Sequence, residues 1–138
     1  MIEIVNKQRK VQIDTAAFTE FVESAASLIP NAGGRDAAVV FVSDHKIRTL
    51  NSKYRNRNTA TDVLSFPFGD EDEYLGDVVI SVERAGEQAS ENGLSRDLEI
   101  KQLILHGLLH LAGYDHETDD GTMDKLEIKL RKELHISD

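Results

Sequence analysis

The 138-residue chain contains no cysteine, which excludes a disulfide framework and any thiolate metal site. A transition metal bound here must be held through nitrogen and oxygen. Long apolar runs are missing as well. The longest, Leu103 to Ala112, is interrupted by His106, Gly107 and His110, so nothing approaches the length of a membrane span. The N-terminal segment MIEIVNKQRK has no apolar core of the kind a signal peptide needs. The expectation is a cytoplasmic protein without membrane contact. No repeat, low-complexity stretch or interdomain linker is visible, and the length suits one domain with a real core.

Net positive charge is also lacking. The formal charge is −9, which argues against a protein that coats itself in nucleic acid through bulk electrostatics. The distribution says more than the sum. Between His45 and Arg57 lie Lys46, Arg48, Lys53, Arg55 and Arg57 with no acidic residue, whereas Asp70 to Glu73 is wholly acidic. A run of this kind is most often a solvated helix face, but a basic patch on an acidic body can also receive a phosphate backbone.

Local patterning gives the elements. Ile2 to Val5 alternates as a short strand, and Asp14 or Thr15 caps a helix with Phe18, Phe21, Val22, Ala25 and Ile29 on one face. Pro30 to Gly34 stops it, and Ala37 to Val42 reads as a buried strand. Ser43 or Asp44 starts a second helix with Ile47, Leu50 and Tyr54 as its inward stripe. Thr61 to Phe66 is a strand ended by Pro67. A turn through Gly69 and the acidic segment leads to a strand from Leu75 to Ser81, with Asp77 in its middle. Val82 to Asn92 is a short helix stopped by Gly93. Ser95 caps a helix that runs to about Ala112 and is apolar nearly all round, and a last helix begins near Asp119 with Met123, Leu126, Leu130 and Leu134 inward. The pattern predicts an α+β fold: a small single domain in which a mixed β-sheet packs with helices around a central histidine helix. Strand order does not follow from it.

Three of the five histidines fall between positions 106 and 116, in HGLLHLAGYDH. His106 and His110 lie one turn apart on a helix face. Gly113 suits a left-handed helix end that returns the chain and brings His116 round. Chance would give this histidine spacing with an expectation of about 0.006 in a chain of this composition. On an apolar helix these imidazoles are shielded from bulk water, which suits metal ligation. The spacing is that of the metzincin zinc site, except that Gly107 stands where those proteases carry the glutamate that accepts a proton from the attacking water. Three histidines on zinc leave a fourth place for water, the layout of catalytic rather than structural sites. Asp115 could instead close that place, or orient a histidine from behind. Asp77, Asp115 and Glu117 are candidates for a replacement base. Phosphodiester cleavage depends less on such a base, since metal and guanidinium can stabilise phosphoryl charge.

At this point HGLLHLAGYDH resembles the signature of the YbeY family of bacterial endoribonucleases. LNSKYRNRNTATDVLSFPF, from Leu50 to Phe68, and LGDVVIS, from Leu75 to Ser81, resemble two further blocks of that family in the same order. The resemblance implies one Zn2+ per chain on His106, His110 and His116, and a catalytic Arg55. It implies a mixed sheet with helices and a single-stranded RNA substrate near the 3′ end of small-subunit ribosomal RNA, with a part in ribosome quality control. The small ribosomal subunit or its assembly factors are the implied partners. Arg57 replaces a common lysine and Ala60 a common proline. The expectation is a zinc-dependent endoribonuclease in which Arg55 positions phosphate and Lys46, Arg48, Lys53 and Arg57 are further candidate substrate contacts. A metal-dependent protease on the same triad and a non-catalytic assembly module with structural zinc are the alternatives.

Overall fold

The computed structural model describes residues 1–56, 61–68, 73–115 and 119–137. His116, Glu117 and Arg57 lie outside them. The elements follow in the order β1 (Ile2–Asn6), α1 (Ala16–Leu28), β2 (Asp36–Val42), α2 (Asp44–Arg55), β3 (Val63–Pro67), β4 (Tyr74–Ser81), α3 (Val82–Asn92), α4 (Arg96–Leu111) and α5 (Thr122–Glu133). The sheet has the order β1-β2-β4-β3. β1, β2 and β4 run parallel, and β3 returns antiparallel to β4 at the edge. This is the α+β domain with a mixed sheet that the pattern predicts.

Alternation along the strands divides the sheet into two faces. Ala37, Val39, Phe41, Val78 and Ile80 share one core with Phe18 and Val22 of α1, with Ile104, Leu105 and Leu108 of α4, and with Met123 and Leu130 of α5. On the other face Val42, Leu64 and Val79 pack against Ile47 of α2 in a smaller core. α4 is buried on most of its circumference, so it sits at the centre of the larger core, over β3 and β4.

Serine caps fix where three helices begin. Ser43, Ser81 and Ser95 accept from the backbone N–H groups of Lys46, Arg84 and Leu98, each satisfying a donor the helix leaves orphaned. Most expected boundaries shift by a residue or two at strand ends, and β3 begins at Val63 rather than Thr61; two of the differences have a physical cause in view. β3 extends through Pro67, and this is possible because β3 is an edge strand. Its Asp62 carbonyl and Phe68 N–H bond to β4, so by alternation Ser65 and Pro67 turn their backbone groups outward, where proline's missing donor costs the sheet nothing. α5 starts at Thr122 rather than near Asp119, because the Asp119 carboxylate accepts from Gly121 and Met123 N–H and holds the turn before the helix. No described helix is long and apolar enough to cross a membrane.

Candidate metal centre

The histidine helix ends as its glycine predicts. Gly113 has φ +102°, and its N–H bonds to the His110 carbonyl at 3.0 Å while that of Tyr114 bonds to Leu109 at 3.1 Å. This paired arrangement is a Schellman motif. It does more than end the helix. The reversal carries the Tyr114 carbonyl back to the His110 ring, whose Nδ1 lies 3.0 Å from it.

His106 is fixed from a different element. Its Nδ1 lies 2.8 Å from Oε1 of Glu127 on α5, and the other carboxylate oxygen accepts from Arg131 at 2.6 Å, one turn further along. Burial would push the Glu127 carboxyl up, but the hydrogen bond and charge of His106 and the charge of Arg131 outweigh it and hold it below the usual value. Glu127 is therefore an ionised acceptor.

Both Nδ1 atoms thus face groups that can only accept, so both carry the proton. The two Nε2 atoms face each other at 3.1 Å, with the rings edge to face. With Nδ1 protonated on each ring, two Nε2 lone pairs at this distance repel unless a proton or a cation lies between them. Two nitrogens about 2.0–2.1 Å from a tetrahedral zinc stand roughly 3.3 Å apart. The pair fits a first-row metal in its donor atoms, their spacing and their tautomers. Among the described residues no three His, Cys, Asp or Glu side chains group around one point; the third histidine of the motif, His116, lies outside them.

Gly107 has a packing reason. A Cβ there would meet Val78 Cγ1 at 2.5 Å and Cγ2 at 2.9 Å. Its carbonyl accepts from Ser65 Oγ of β3 at 3.4 Å. Here the α4 backbone lies against the sheet, and a glutamate side chain has no room.

The remaining candidates divide. Asp77 shares the sheet face of Phe66 and Val79, toward α2 and away from the histidines. The Tyr74 hydroxyl donates to it, and burial and this carboxylate push the phenol above its ordinary range. Asp115 is exposed beside the Schellman turn, and Glu117 lies outside the described residues. Arg55, the last residue of α2, reaches around the sheet edge: its guanidinium donates to the outward Ser65 carbonyl at 3.5 Å. Ser65 therefore touches Arg55 with its carbonyl and the backbone between the two histidines with its hydroxyl. Lys46 and Lys53 recur on one flank of α2, Arg48 and Arg55 on the other, because two helical turns separate each pair. Tyr54 corrects the expected inward stripe. It is 58% exposed, its ring edge to face with Phe66 and under the Lys53 ammonium, because Ile47 and Asn51 already fill the buried side of α2.

Sequence reasoning missed Glu127 and Arg131. The usable signal is an acidic residue between Met123, Leu126 and Leu130, inside the apolar stripe of α5.

A cleft of about 420 Å3 opens beside His106, between the start of β3, α3 and the N-terminal half of α4.

The family model of Endoribonuclease YbeY matches residues 3–135, which takes in Arg55, the histidine motif and Glu127. The chain belongs to the YbeY family. A YbeY endoribonuclease of Carboxydothermus hydrogenoformans is 45% identical over 142 residues, covering 99% of both chains. That of Nautilia profundicola is 48% identical over 74% of each chain, and that of Thermodesulfovibrio yellowstonii 31% identical over 96% of each. Among solved structures, the solution structure of TM1509 from Thermotoga maritima is similar with a TM-score of 0.67 at 27% identity, covering 97% of this chain and 89% of that one. The relatives from Carboxydothermus hydrogenoformans and Thermodesulfovibrio yellowstonii cover nearly the whole chain, and so reach into the N-terminal third where the sequence carries no motif.

Proposed function

We propose that this chain is a zinc-dependent endoribonuclease that cleaves single-stranded RNA during maturation of the 3′ end of small-subunit ribosomal RNA. It acts in the cytoplasm, on or near the small ribosomal subunit or its assembly factors, and serves ribosome quality control. One observation carries the reading: two imidazoles, both tied through Nδ1 to oxygen acceptors, set their Nε2 atoms 3.1 Å apart in a chain of the YbeY family.

Zinc held by His106, His110 and His116 would supply a Lewis acid for a phosphoryl oxygen and lower the pKa of a bound water. The protein's own groups do the rest. Glu127 and the Tyr114 carbonyl hold the rings in the tautomer that presents Nε2. Arg55 stands at the rim of β3, where a guanidinium can hold a phosphate through two parallel hydrogen bonds, with Arg48 behind it on the same flank and Arg57 further along the chain. Lys46 and Lys53, on the other flank of α2, meet the RNA strand beyond the cleavage point. Peptide hydrolysis is disfavoured because position 107, which carries the base in the related proteases, is filled by the helix–sheet contact.

The test is cleavage of a single-stranded oligoribonucleotide by wild type, His110→Ala and Arg55→Ala in parallel. Loss of cleavage in folded His110→Ala and a drop of at least about tenfold in Arg55→Ala, the scale of one charged hydrogen bond, are expected. Equal cleavage by wild type and His110→Ala would remove the nuclease assignment and leave the non-catalytic assembly module.

A further inference from the structure

We infer that the uncovered aromatic strip of Tyr54, Phe66 and Phe68 is a stacking platform for the bases of single-stranded RNA, across the rim of β3 from the histidines. The inference rests on the nuclease reading above and concerns how the substrate strand is held beyond Arg55.

The strip arises because α2 ends before the sheet face it covers. Ile47 and Leu50 pack with Val42, Leu64 and Val79, and the helix stops at Arg55, where Asn56 turns left-handed at φ +54°. The Phe68 N–H still bonds to the Leu75 carbonyl at 3.0 Å. Strand alternation therefore continues past Pro67 and puts Leu64, Phe66 and Phe68 on one face. Leu64 lies under α2. Phe66 is met by the Tyr54 ring in the last turn, with centroids 5.5 Å apart. Phe68 is past the helix end, edge to face with Tyr74 at 4.9 Å. Tyr54 and Phe68 are 58% and 59% exposed, whereas the other exposed large apolar side chains among the described residues, Met1, Leu28 and Ile128, are not aromatic.

Size and charge decide what covers the strip. Two rings exposed to this extent offer roughly 200–300 Å2, against about 800 Å2 a side in a stable protein interface. That is too little for a folded partner and enough for one or two bases. Cations stand beside the rings: the Lys53 ammonium lies 5.3 Å from the Tyr54 centroid, and the Arg55 guanidinium donates to the carbonyl of Ser65, next to Phe66. Aromatic faces for bases beside cations for phosphates are how proteins hold single strands without reading sequence. Carboxylates stand on the β4 side of the strip, where Asp77 accepts from the Tyr74 hydroxyl and Glu73 is exposed. They repel phosphate, so the backbone runs on the Lys53 and Arg55 side and the bases lie over the rings. Ser65, bonded to Arg55 through its carbonyl and to Gly107 through its hydroxyl, is all that separates this path from the histidine helix. A strand with one phosphate on Arg55 reaches the histidines on one side of the rim and the platform on the other.

The test is binding of a labelled oligouridylate, measured by fluorescence anisotropy in the His110→Ala background. The background is compared with its Tyr54→Leu, Tyr54→Phe and Phe68→Leu derivatives, and each measurement is repeated with an abasic strand of equal length. Leucine keeps apolar bulk and removes the ring, whereas phenylalanine keeps the ring. Tyr54→Leu and Phe68→Leu should each weaken oligouridylate binding about tenfold, the scale of one lost base–aromatic stack, with Tyr54→Phe within about twofold. The abasic strand should bind every variant alike. The slope of log K against log salt concentration should also stay the same, because a stack releases no counterion. Where His110 is kept, Tyr54→Leu should raise KM at unchanged kcat, since the platform holds the strand alike before and during the reaction. Oligouridylate binding that is absent, or unchanged in both leucine variants, overturns the platform, and His110-dependent cleavage would then leave the nuclease reading intact. Ring-dependent binding by a protein that cleaves nothing does the reverse. Equal weakening on the abasic strand overturns the platform as well. So does a wild-type dimer in sedimentation that Tyr54→Leu splits at unchanged RNA affinity, which would assign the strip to a second copy of the chain.

Discussion

Glu127 is the residue on which the geometry of the histidine pair turns. Truncating it would free the His106 ring to rotate and strand the Arg131 guanidinium, whose buried Nε has no partner among the described residues. Glu127→Gln is the cleaner change, since an amide oxygen still accepts from Nδ1 but carries no charge. Partners that orient metal-bound histidines are worth about 10–100-fold in affinity. Zinc competition with a chromophoric chelator should show a loss of this size in Glu127→Gln at unchanged circular dichroism; unchanged zinc affinity would make the contact merely structural. Gly107→Ala decides a second question. Alanine favours a helix over glycine by about 1 kcal/mol, yet the added methyl must fit 2.5 Å from a branched strand residue, and overpacking costs roughly 1–3 kcal/mol. The clash should win, because Val78 is fully buried in the paired strand β4 and cannot turn away. Urea unfolding should place the variant below wild type by up to about 2 kcal/mol, and an increase in stability would mean that α4 does not press on the sheet here.

The elements show why part of this site was legible in the chain and part was not. His106 and His110 share a face through helical periodicity alone, and Gly113 marks the turn, so these could be read locally. Glu127 meets His106 across two packed helices, and Arg55 meets Ser65 around a strand edge. Both contacts depend on tertiary placement that no local pattern encodes. Strand order is the same kind of quantity, and so is which face of the sheet α4 covers: alternation puts Asp77 on the face of Val79, and only the packing of α4 on the Val78 face makes that the side away from the histidines. Tyr54 fell to a different cause: a helical stripe names the residues able to face inward, not how many the space admits. The junction of β4, α2 and α3 gives a test at this scale. Asp44 accepts from Arg84 Nε and Nη2 at 3.2 and 3.1 Å and from Ser81 Oγ at 3.0 Å. The Arg84 hydrogen bond, against opposing burial, holds the Asp44 carboxyl below its ordinary value. A carboxyl lowered in the folded state contributes stability above its unfolded pKa and loses it as pH falls through the folded one. Wild type should therefore exceed Asp44→Asn by up to about 1 kcal/mol near neutrality, the scale of a part-exposed pair. The gap should narrow as pH drops below about 4. A gap constant from pH 7 to 2 would remove the ion pair as its source.

At the scale of the whole molecule, an acidic protein that acts on a polyanion must confine its contact. The net charge of −9 repels RNA at long range, so on the proposed reading binding would rest on the cations of α2 and of the chain just after it. This has a measurable consequence. Each phosphate neutralised on a single strand contributes about −0.7 to the slope of log K against log salt concentration. Up to five contacts, at Arg55, Arg48, Arg57, Lys46 and Lys53, would give a slope no steeper than about −3.5, well short of the dependence of proteins that coat nucleic acid. Arg55→Ala should make it shallower by about 0.7, whereas Lys7→Ala, on the exposed segment after β1, should leave it unchanged. The measurement is fluorescence anisotropy of a labelled single strand across a salt series, with His110→Ala as the common background so that cleavage does not intrude. A slope that Arg55→Ala leaves untouched would mean that the guanidinium holds β3 and not phosphate, and the cation that positions the RNA would have to be sought on the other flank of α2, at Lys46 or Lys53.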